Sequence, residues 1–473
     1  MKNRNCWQLL SSLSGRESVR FIRWLEFELG DTCKYVQQLT RKLVEHLPDC
    51  PTEQRIWSQI YPEKAYDDAR LRKLLRDTTR LLEEFLAIES FRRDQHKKDI
   101  FLLQEVHQRN RPHLFLKIYR RLERSLEKLP ARNASFFRKR YEMEGIFQHY
   151  LIKYRPRERY SRTEAFTHAF NNWWMLGKME LACIHSFHSS GEGDELEQIL
   201  LEEVMQYISH SKVQKDVNAL QIYHNLYLLL HGRAGVEPQH ILSLLKTHGG
   251  LFSFEELRTI FGLLINFHTS KYNRTNSALQ YKELFLLYEW GIQEKLIFQD
   301  NLINLNHYKN IQSICLRLKK FDKAAYYLKL FKSHLPKGIG EEAYAFNHST
   351  YLFAVRDFVG VIELLRTTKF HNLMYEIPAR ALLIQAHYEQ SGHGQEWLLT
   401  QVNSLSRFIR QQKIPSNHKK AYLNFLTIMA KLTKILMPFE IRKLSSKITQ
   451  TNPLYQGHWL NQKISERLDT KSF

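Results

Sequence analysis

A chain of 473 residues with a formal net charge of +21 is long enough to bury a large core or to form an elongated array. Its 18 Gly and 12 Pro supply too little turn chemistry for an all-β fold, so the predicted class is all-α. No run approaches about 18 uninterrupted apolar residues, so no membrane span is predicted.

The beginning of the chain and its cysteines indicate a cytoplasmic protein. The apolar run after Arg4 is short and is interrupted by Gln8 and Ser11, so it is not the pattern of a signal peptide. Cysteines are odd in number and scattered, which fits free and mostly buried thiols in a reducing compartment. The five are Cys6, Cys33, Cys50, Cys183 and Cys315.

Caps and breakers predict the helices of the N-terminal half. Gly30 ends a helix over 17–29, and Thr52 opens a later one. The clearest pattern, over 67–91, is an apolar stripe with basic residues outside it. Pro112 is predicted to begin a further helix. The basic residues beside the stripe are Arg72, Lys73, Arg76 and Arg80.

Helical patterns continue to about residue 450. The segment 163–188 is predicted to form a pair of helices, and Pro438 is predicted to stop a late helix. Residues after Gln450 carry little pattern and are expected to fray. Other helices are predicted over 131–154, 213–231, 238–247, 254–268, 276–290 and 379–389.

The stretch from Tyr308 to Pro336 predicts two short helices that pack on each other. Apolar residues share one face of each helix, Ala324 supplies a small residue at the crossing, and Pro336 ends the second helix. The face of the first helix is Tyr308, Ile311 and Cys315, and that of the second is Phe321, Ala324, Leu328 and Phe331.

This pattern resembles a tetratricopeptide repeat. Gln312 stands where the repeat has a small residue, and Phe331 is larger than the usual Ala, so a wider packing is predicted. The pattern recurs 37 residues later with Phe358, Val361 and Leu365, and again with Leu398 and Val402, although Gln395 replaces the aromatic residue. Recurrence at one spacing predicts a helical-hairpin array.

The order of segments also resembles a group of helical-repeat proteins of Bacteroidetes. The resemblance rests on Ile-Tyr-Pro-Glu-Lys-Ala-Tyr-Asp-Asp near the start, Ala-Arg-Ala-Leu-Leu-Ile-Gln-Ala-His-Tyr-Glu at 379–389 and Tyr-Leu-Asn-Phe at 422–425. It implies an all-helical array and brings no activity.

The sequence is predicted to divide into four regions. They are 1–160 (basic helices), 161–272 (central hairpins), 273–450 (tetratricopeptide-like repeats) and 451–473 (a tail).

Positive charge is concentrated in two regions. Region 111–162 has a net charge of +10 and region 407–447 of +9, whereas 164–310 between them has −5. Arginines alternate with Tyr154 and Tyr160, which supplies phosphate-pairing and base-stacking groups. The candidate polyanion contacts are Arg155, Arg157, Arg159, Arg162, Lys419 and Lys420.

Enzyme motifs are missing from the sequence. It has no phosphate-binding loop, dinucleotide fingerprint or nucleophile elbow, so no catalytic residue, cofactor or enzymatic activity is predicted. Cys183, His185 and His188, with His168 upstream, lack the usual ligand spacing of a metal site on a helix, so no metal is predicted.

Two functions remain. The first is a scaffold that binds a protein or peptide, whether acidic or not, in the groove of the array. The alternative is a nucleic-acid-binding protein that uses the two basic regions.

Overall fold

The structure, a computed structural model, describes residues 1–2, 4–30, 34–188, 200–210, 219–233, 235–275, 278–391, 396–434 and 437–469. Within these residues the chain forms 23 α-helices and one two-stranded hairpin, which confirms the all-α, helical-hairpin class. It divides into two compact units, residues 1–176 and 177–473. The division into four regions stays a prediction.

The first unit contains eight helices and the beginning of a ninth. They are α1 (Asn5–Ser12), α2 (Gly15–Leu29), α3 (Lys34–Glu45), α4 (Glu53–Ile60), α5 (Asp68–Arg93), α6 (Gln95–Gln108), α7 (Pro112–Glu127), α8 (Ala134–Tyr154) and α9 (Thr163–His188). A short 3₁₀ turn, Pro156–Glu158, lies between α8 and α9.

Helix ends in this unit follow the sequence signals closely. Gly30 takes a φ of 48° after α2, a conformation that an L side chain resists. The side chains of Thr52 and Asp67 accept hydrogen bonds from backbone N–H groups at the starts of α4 and α5. Pro112 occupies the first position of α7, where its missing N–H costs nothing. These predicted ends are confirmed.

Two hydrophobic clusters hold the first unit together. In the first, helices α1, α2, α3, α4 and α5 pack together, and Trp57 and Phe85 are among the buried side chains. In the second, α6, α7 and α8 pack together, and Phe115 stacks on Tyr150 with ring centroids 4.4 Å apart. The amphipathic stripes of the sequence are the source of both clusters.

The second unit continues as helices to residue 469. They are α10 (Leu201–His210), α11 (Ala219–Leu230), α12 (Pro238–His248), α13 (Phe254–Thr275), α14 (Ala278–Gln293), α15 (Leu305–Arg317), α16 (Phe321–Phe331), α17 (Ile339–Ala354), α18 (Phe358–Thr367), α19 (Leu373–Ser391), α20 (Glu396–Gln411), α21 (Ser416–Leu432), α22 (Pro438–Gln450) and α23 (Gly457–Asp469).

Between α14 and α15, two strands form an antiparallel hairpin. Strand β1 (Phe298–Gln299) pairs with β2 (Leu302–Ile303) in the register Phe298 to Ile303. The two residues at its tip, Asp300 and Asn301, have φ values of 50° and 64°, as a tight hairpin turn requires.

Successive helices of the second unit pack as hairpins. Contacts join α13 to α14, α15 to α16, α17 to α18 and α19 to α20, while α17 also contacts both α15 and α19. Gly291 sets the closest approach between α13 and α14, since a Cβ there would lie 2.5 Å from the ring of Phe261. The missing side chain at Gly291 therefore lets α14 approach α13 closely.

Three predictions about elements are wrong. Segment 163–188 is one helix, because its helix-weakening Gly177 costs only about 1 kcal/mol relative to Ala. Pro438 does not stop α21, which ends at Leu432, but begins α22, since its ring suits a first helical position. Residues 457–469 do not fray but form α23, with Trp459 and Ile464 buried against the preceding helices. No described helix is both long and apolar enough to cross a membrane.

Candidate binding groove

An open groove of about 1350 Å³, here called the α6–α8 groove, lies in the first unit. Its walls are the C-terminal end of α5 and one face each of α6 and α8, and Phe166 of α9 also lines it. It is larger than most small-molecule sites, which occupy roughly 300–1,000 Å³.

Apolar side chains that reach solvent line much of the groove. Phe91 of α5 and Phe101 of α6 are 38% and 54% exposed, and their rings meet edge to face at 5.6 Å. Ile152 of α8 is 60% exposed. Exposed aromatic and aliphatic groups gathered in one concavity are typical of an interaction site.

A stacked aromatic pair forms another part of the lining. The rings of Tyr141 and Phe166 lie 4.8 Å apart with an interplanar angle of 14°. Gly145 allows this approach, because a Cβ at that position would lie 3.3 Å from the Phe166 ring. The pair gives the groove a firm apolar surface.

The charged groups of the lining leave a positive excess. Lys97 lies 3.8 Å from Asp94, and Arg138 lies 3.5 Å from Glu142. Lys139 also lines the groove and has no described carboxylate within 4 Å. An acidic group on a ligand would find its partner at Lys139.

Half-buried His96 adds an unsatisfied polar group to this wall. Neither ring nitrogen has a hydrogen-bond partner in the structure, and both are inaccessible to solvent. Burial, together with the nearby charge of Lys139, lowers the pKa of His96 to about 4. The ring is therefore neutral at pH 7 and adds no charge to the groove.

Arg162, a predicted polyanion contact, is committed to contacts inside the first unit. Its guanidinium lies 2.8 Å from both Glu123 and Glu144, and the Glu144 side chain is fully buried. It also donates a hydrogen bond to the Tyr119 hydroxyl. Its charge is neutralised by these carboxylates, so the geometry favours a stabilising ion-pair network within the first unit over a contact with a polyanion.

The other arginines of the predicted cluster lie on the exposed turn between α8 and α9. Arg155 pairs with Glu158 at 3.3 Å, while Arg157 forms no described ion pair. The Arg159 guanidinium lies 4.8 Å from the ring centre of Tyr160, which is 72% exposed. This turn therefore presents a cation and an aromatic face to solvent.

The two predicted lysines belong to the second unit and differ in role. The Lys419 ammonium donates to the backbone oxygens of Arg410 and Gln412, at 2.7 and 3.0 Å, so it caps the end of α20. Lys420, the next residue, is exposed. Adjacent helical residues diverge by about 100°, which explains the difference.

The predicted repeat residues lie at helix-packing positions. Phe321, Pro336 and Phe358 are half-buried. The others are buried, namely Tyr308, Ile311, Ala324, Leu328, Phe331, Val361, Leu365, Leu398 and Val402. Gln312 is also buried, and its amide donates to the Ala324 oxygen at 2.9 Å, so it bridges α15 and α16. Gln395 lies outside the described residues.

Two of the residues rejected as metal ligands, Cys183 and His168, contact other groups. Cys183 is buried with its sulfur 3.5 Å from the backbone oxygen of Tyr223, and the ring of His168 lies against Phe137. The side chain of His188 is outside the described part of the chain. Among the described residues, no group of three or more His, Cys, Asp or Glu is placed to hold a metal ion.

Sequence reasoning did not identify the groove. Phe101 and Leu102 stand between the buried Ile100 and Leu103, so an apolar run wider than a buried stripe was the available signal on α6.

Comparisons with protein-family models, curated proteins and solved structures find no match to this chain.

Proposed function

We propose that this chain is a non-enzymatic, cytoplasmic scaffold whose first unit binds an acidic, amphipathic segment of a partner protein. The observation that carries the proposal is the α6–α8 groove, with Phe91, Phe101 and Ile152 exposed in it. An amphipathic helix laid in such a groove buries its apolar side chains at helical spacing.

Charge selects an acidic occupant. Lys139 is unpaired in the groove, and α8 belongs to the region of net charge +10. Opposite charges speed the encounter of partners and disfavour basic competitors. The bound segment therefore places a carboxylate near Lys139 and apolar groups near the aromatic side chains.

In this proposal the second unit is an array of degenerate tetratricopeptide-like hairpins. The first residues of α15, α17 and α19 are 34 residues apart, at 305, 339 and 373. That interval equals the period of the repeat. The array would display further partner-binding surfaces, as stacked helical hairpins do.

A pair of designed peptides tests the groove. One is a helix of about four turns with leucines at i, i+3, i+4 and i+7 and glutamates beside them, and the other has lysines for the glutamates. Fluorescence anisotropy measures binding of both to the full chain. We expect the acidic peptide to bind at least tenfold more tightly.

Matched variants locate the binding. Phe101→Ser removes an exposed groove side chain, whereas Leu102→Ser removes a neighbouring side chain, 42% exposed, that does not line the groove. We expect Phe101→Ser to weaken binding of the acidic peptide about tenfold, because buried apolar area is lost. Leu102→Ser should leave the binding of this peptide unchanged. Equal loss in both variants, or no binding to the unaltered chain, rejects the groove.

Nucleic-acid binding is the second candidate, and the exposed Tyr160 beneath Arg159 favours it. A base that stacks on Tyr160 would place its phosphates near Arg157 and Arg159. Tyr160→Ala should weaken the binding of single-stranded RNA several-fold, and Arg157→Gln should reduce the salt dependence of this binding. Affinity purification from its own cells, with and without nuclease, separates the two candidates, because only a protein partner persists after nuclease treatment.

A further inference from the structure

A second concavity, here called the basic cleft, lies between α1 and α5 in the first unit. Its volume is about 730 Å³. None of its lining residues also lines the α6–α8 groove. The lining consists of Arg4, Asn5, Cys6, Ala69, Arg72, Lys73, Leu75, Arg76, Thr79, Arg80 and Glu83.

Three cations of the basic cleft have no described ion-pair partner. Lys73, Arg76 and Arg80 are exposed, and no described carboxylate lies within 4 Å of any of them. Arg72, beside them, pairs with Asp68 at 2.6 Å, and Arg4 pairs with Glu53 at 2.9 Å. Positive charge in the cleft is therefore only partly compensated.

The remaining basic residues of α5 show that this is a local property. Arg70 lies 4.7 Å from the ring centre of Tyr61. Arg92 and Arg93 pair with Glu89 and Glu17, at 3.3 and 2.5 Å. The basic side chains of α5 that do not line the cleft thus have partners, and the unpaired ones line it.

Helix geometry places the three unpaired cations in one row. Residues three and four apart are neighbours on a helix, so Arg76 lies between Lys73 and Arg80. The row extends about 10 Å along the helix axis, because each residue rises about 1.5 Å. Like charges in a concavity repel one another and concentrate the field, so a multivalent anion is strongly favoured there.

We propose that the basic cleft binds an oligophosphate, meaning a small molecule with two or more linked phosphate groups. Arginine guanidinium groups pair with phosphate oxygens through two parallel hydrogen bonds, and lysine supplies a point charge. The described residues that line the cleft include no aromatic side chain, so recognition would involve the phosphates rather than a base. Glu83, the acidic residue among them, has no described cation within 4 Å.

Calorimetry with inorganic tripolyphosphate, at fixed ionic strength and with the full chain, tests the proposal. The cleft variant is K73Q/R76Q/R80Q. The control K117Q/R120Q/K128Q removes the same charge from three exposed positions, two on α7 and one directly after it, that form no described ion pair. We expect a dissociation constant below 1 mM that rises at least tenfold in the cleft variant and less than twofold in the control.

Other ligands identify the chemistry that is recognised. ATP should bind about as tightly as tripolyphosphate, whereas AMP and sulfate should bind at least tenfold more weakly, because they lack linked phosphates. Equal losses in both variants, or sulfate as tight as tripolyphosphate, would overturn the proposal. So would undetectable tripolyphosphate binding.

Two controls complete the design. Circular dichroism and thermal unfolding establish that the cleft variant is folded, as expected for exposed positions. The acidic peptide of the groove experiment should bind the cleft variant unchanged. Failure of one site would therefore be distinguished from failure of the other.

Discussion

The Lys463 ammonium lies 2.7 Å from a carboxylate oxygen of Glu389, although 74 residues separate them in sequence. Their side chains are only 7% and 10% exposed. The Trp459 indole donates to the other oxygen of Glu389 at 2.7 Å, and Glu466 gives Lys463 a second carboxylate at the same distance. These contacts fasten α23 to α19.

Lys463→Met should destabilise the second unit, because it leaves Glu389 almost buried without a cation. Removing one partner of a buried pair costs about 3–5 kcal/mol, and the partial exposure here places the expected loss near the lower end. Urea unfolding measures the change. Lys447→Met alters an exposed lysine of α22 and should change stability by less than about 0.5 kcal/mol. Similar values for the two variants would contradict this role of the pair.

Arg162→Met should lower the free energy of unfolding by about 3 kcal/mol, because Glu144 remains buried and unpaired. Arg157→Gln, in the same arginine cluster, should cost less than about 0.5 kcal/mol. Replacing Glu144 by Gln in the Arg162→Met protein should restore part of the loss. Equal effects of the two arginine variants on the unfolding midpoint would show that the ion pairs of Arg162 do not stabilise the first unit.

Gly291→Ala should destabilise the α13–α14 contact by about 1–3 kcal/mol, since the new methyl group would overlap the Phe261 ring. Gly262→Ala is the matched change on α13, where the added Cβ meets no atom within 4 Å apart from the neighbouring residues and backbone of α13 itself. It should stabilise the helix by up to about 1 kcal/mol. Thermal unfolding of both variants would reveal these opposite signs, and a shift of the same sign would contradict the packing argument.

Acid should weaken the beginning of α2. Hydrogen bonds from Ser14, and then from Arg93, lower the pKa of Glu17 to about 2. An unfolded Glu titrates near pH 4.3, so the stabilisation by Glu17 is complete above about that pH and is lost as the pH falls towards 2. The stability difference between the unaltered chain and Glu17→Gln should therefore shrink between pH 5 and pH 2.5. A constant difference would exclude this linkage.

Local signals in the sequence predicted many of the helix ends. Contacts between residues far apart in the sequence could not be predicted from such signals. Thr52, Asp67 and Pro112 mark helix starts because their effects involve the next few residues. Arg157 and Arg162 have similar local sequences, yet only Arg162 has partners 18 and 39 residues away. No local rule separates them.

The candidate site was hidden for the same reason. Its walls come from α5, α6, α8 and α9, and periodicity within one helix does not show which helices leave a space between them. Gln312 illustrates the limit at single-residue scale. It was predicted only to widen the α15–α16 pair, but it also joins the two helices through the Ala324 oxygen.

The arginine-rich turn between α8 and α9 is fastened at both ends. Before it, the Tyr154 hydroxyl donates to Asn110 at 3.0 Å, and after it Arg162 binds Glu144. Arg157 and Tyr160, between these attachments, are exposed. Substitutions there would leave the helices in place, so the outer residues of the turn can change in evolution while the framework that carries them stays the same.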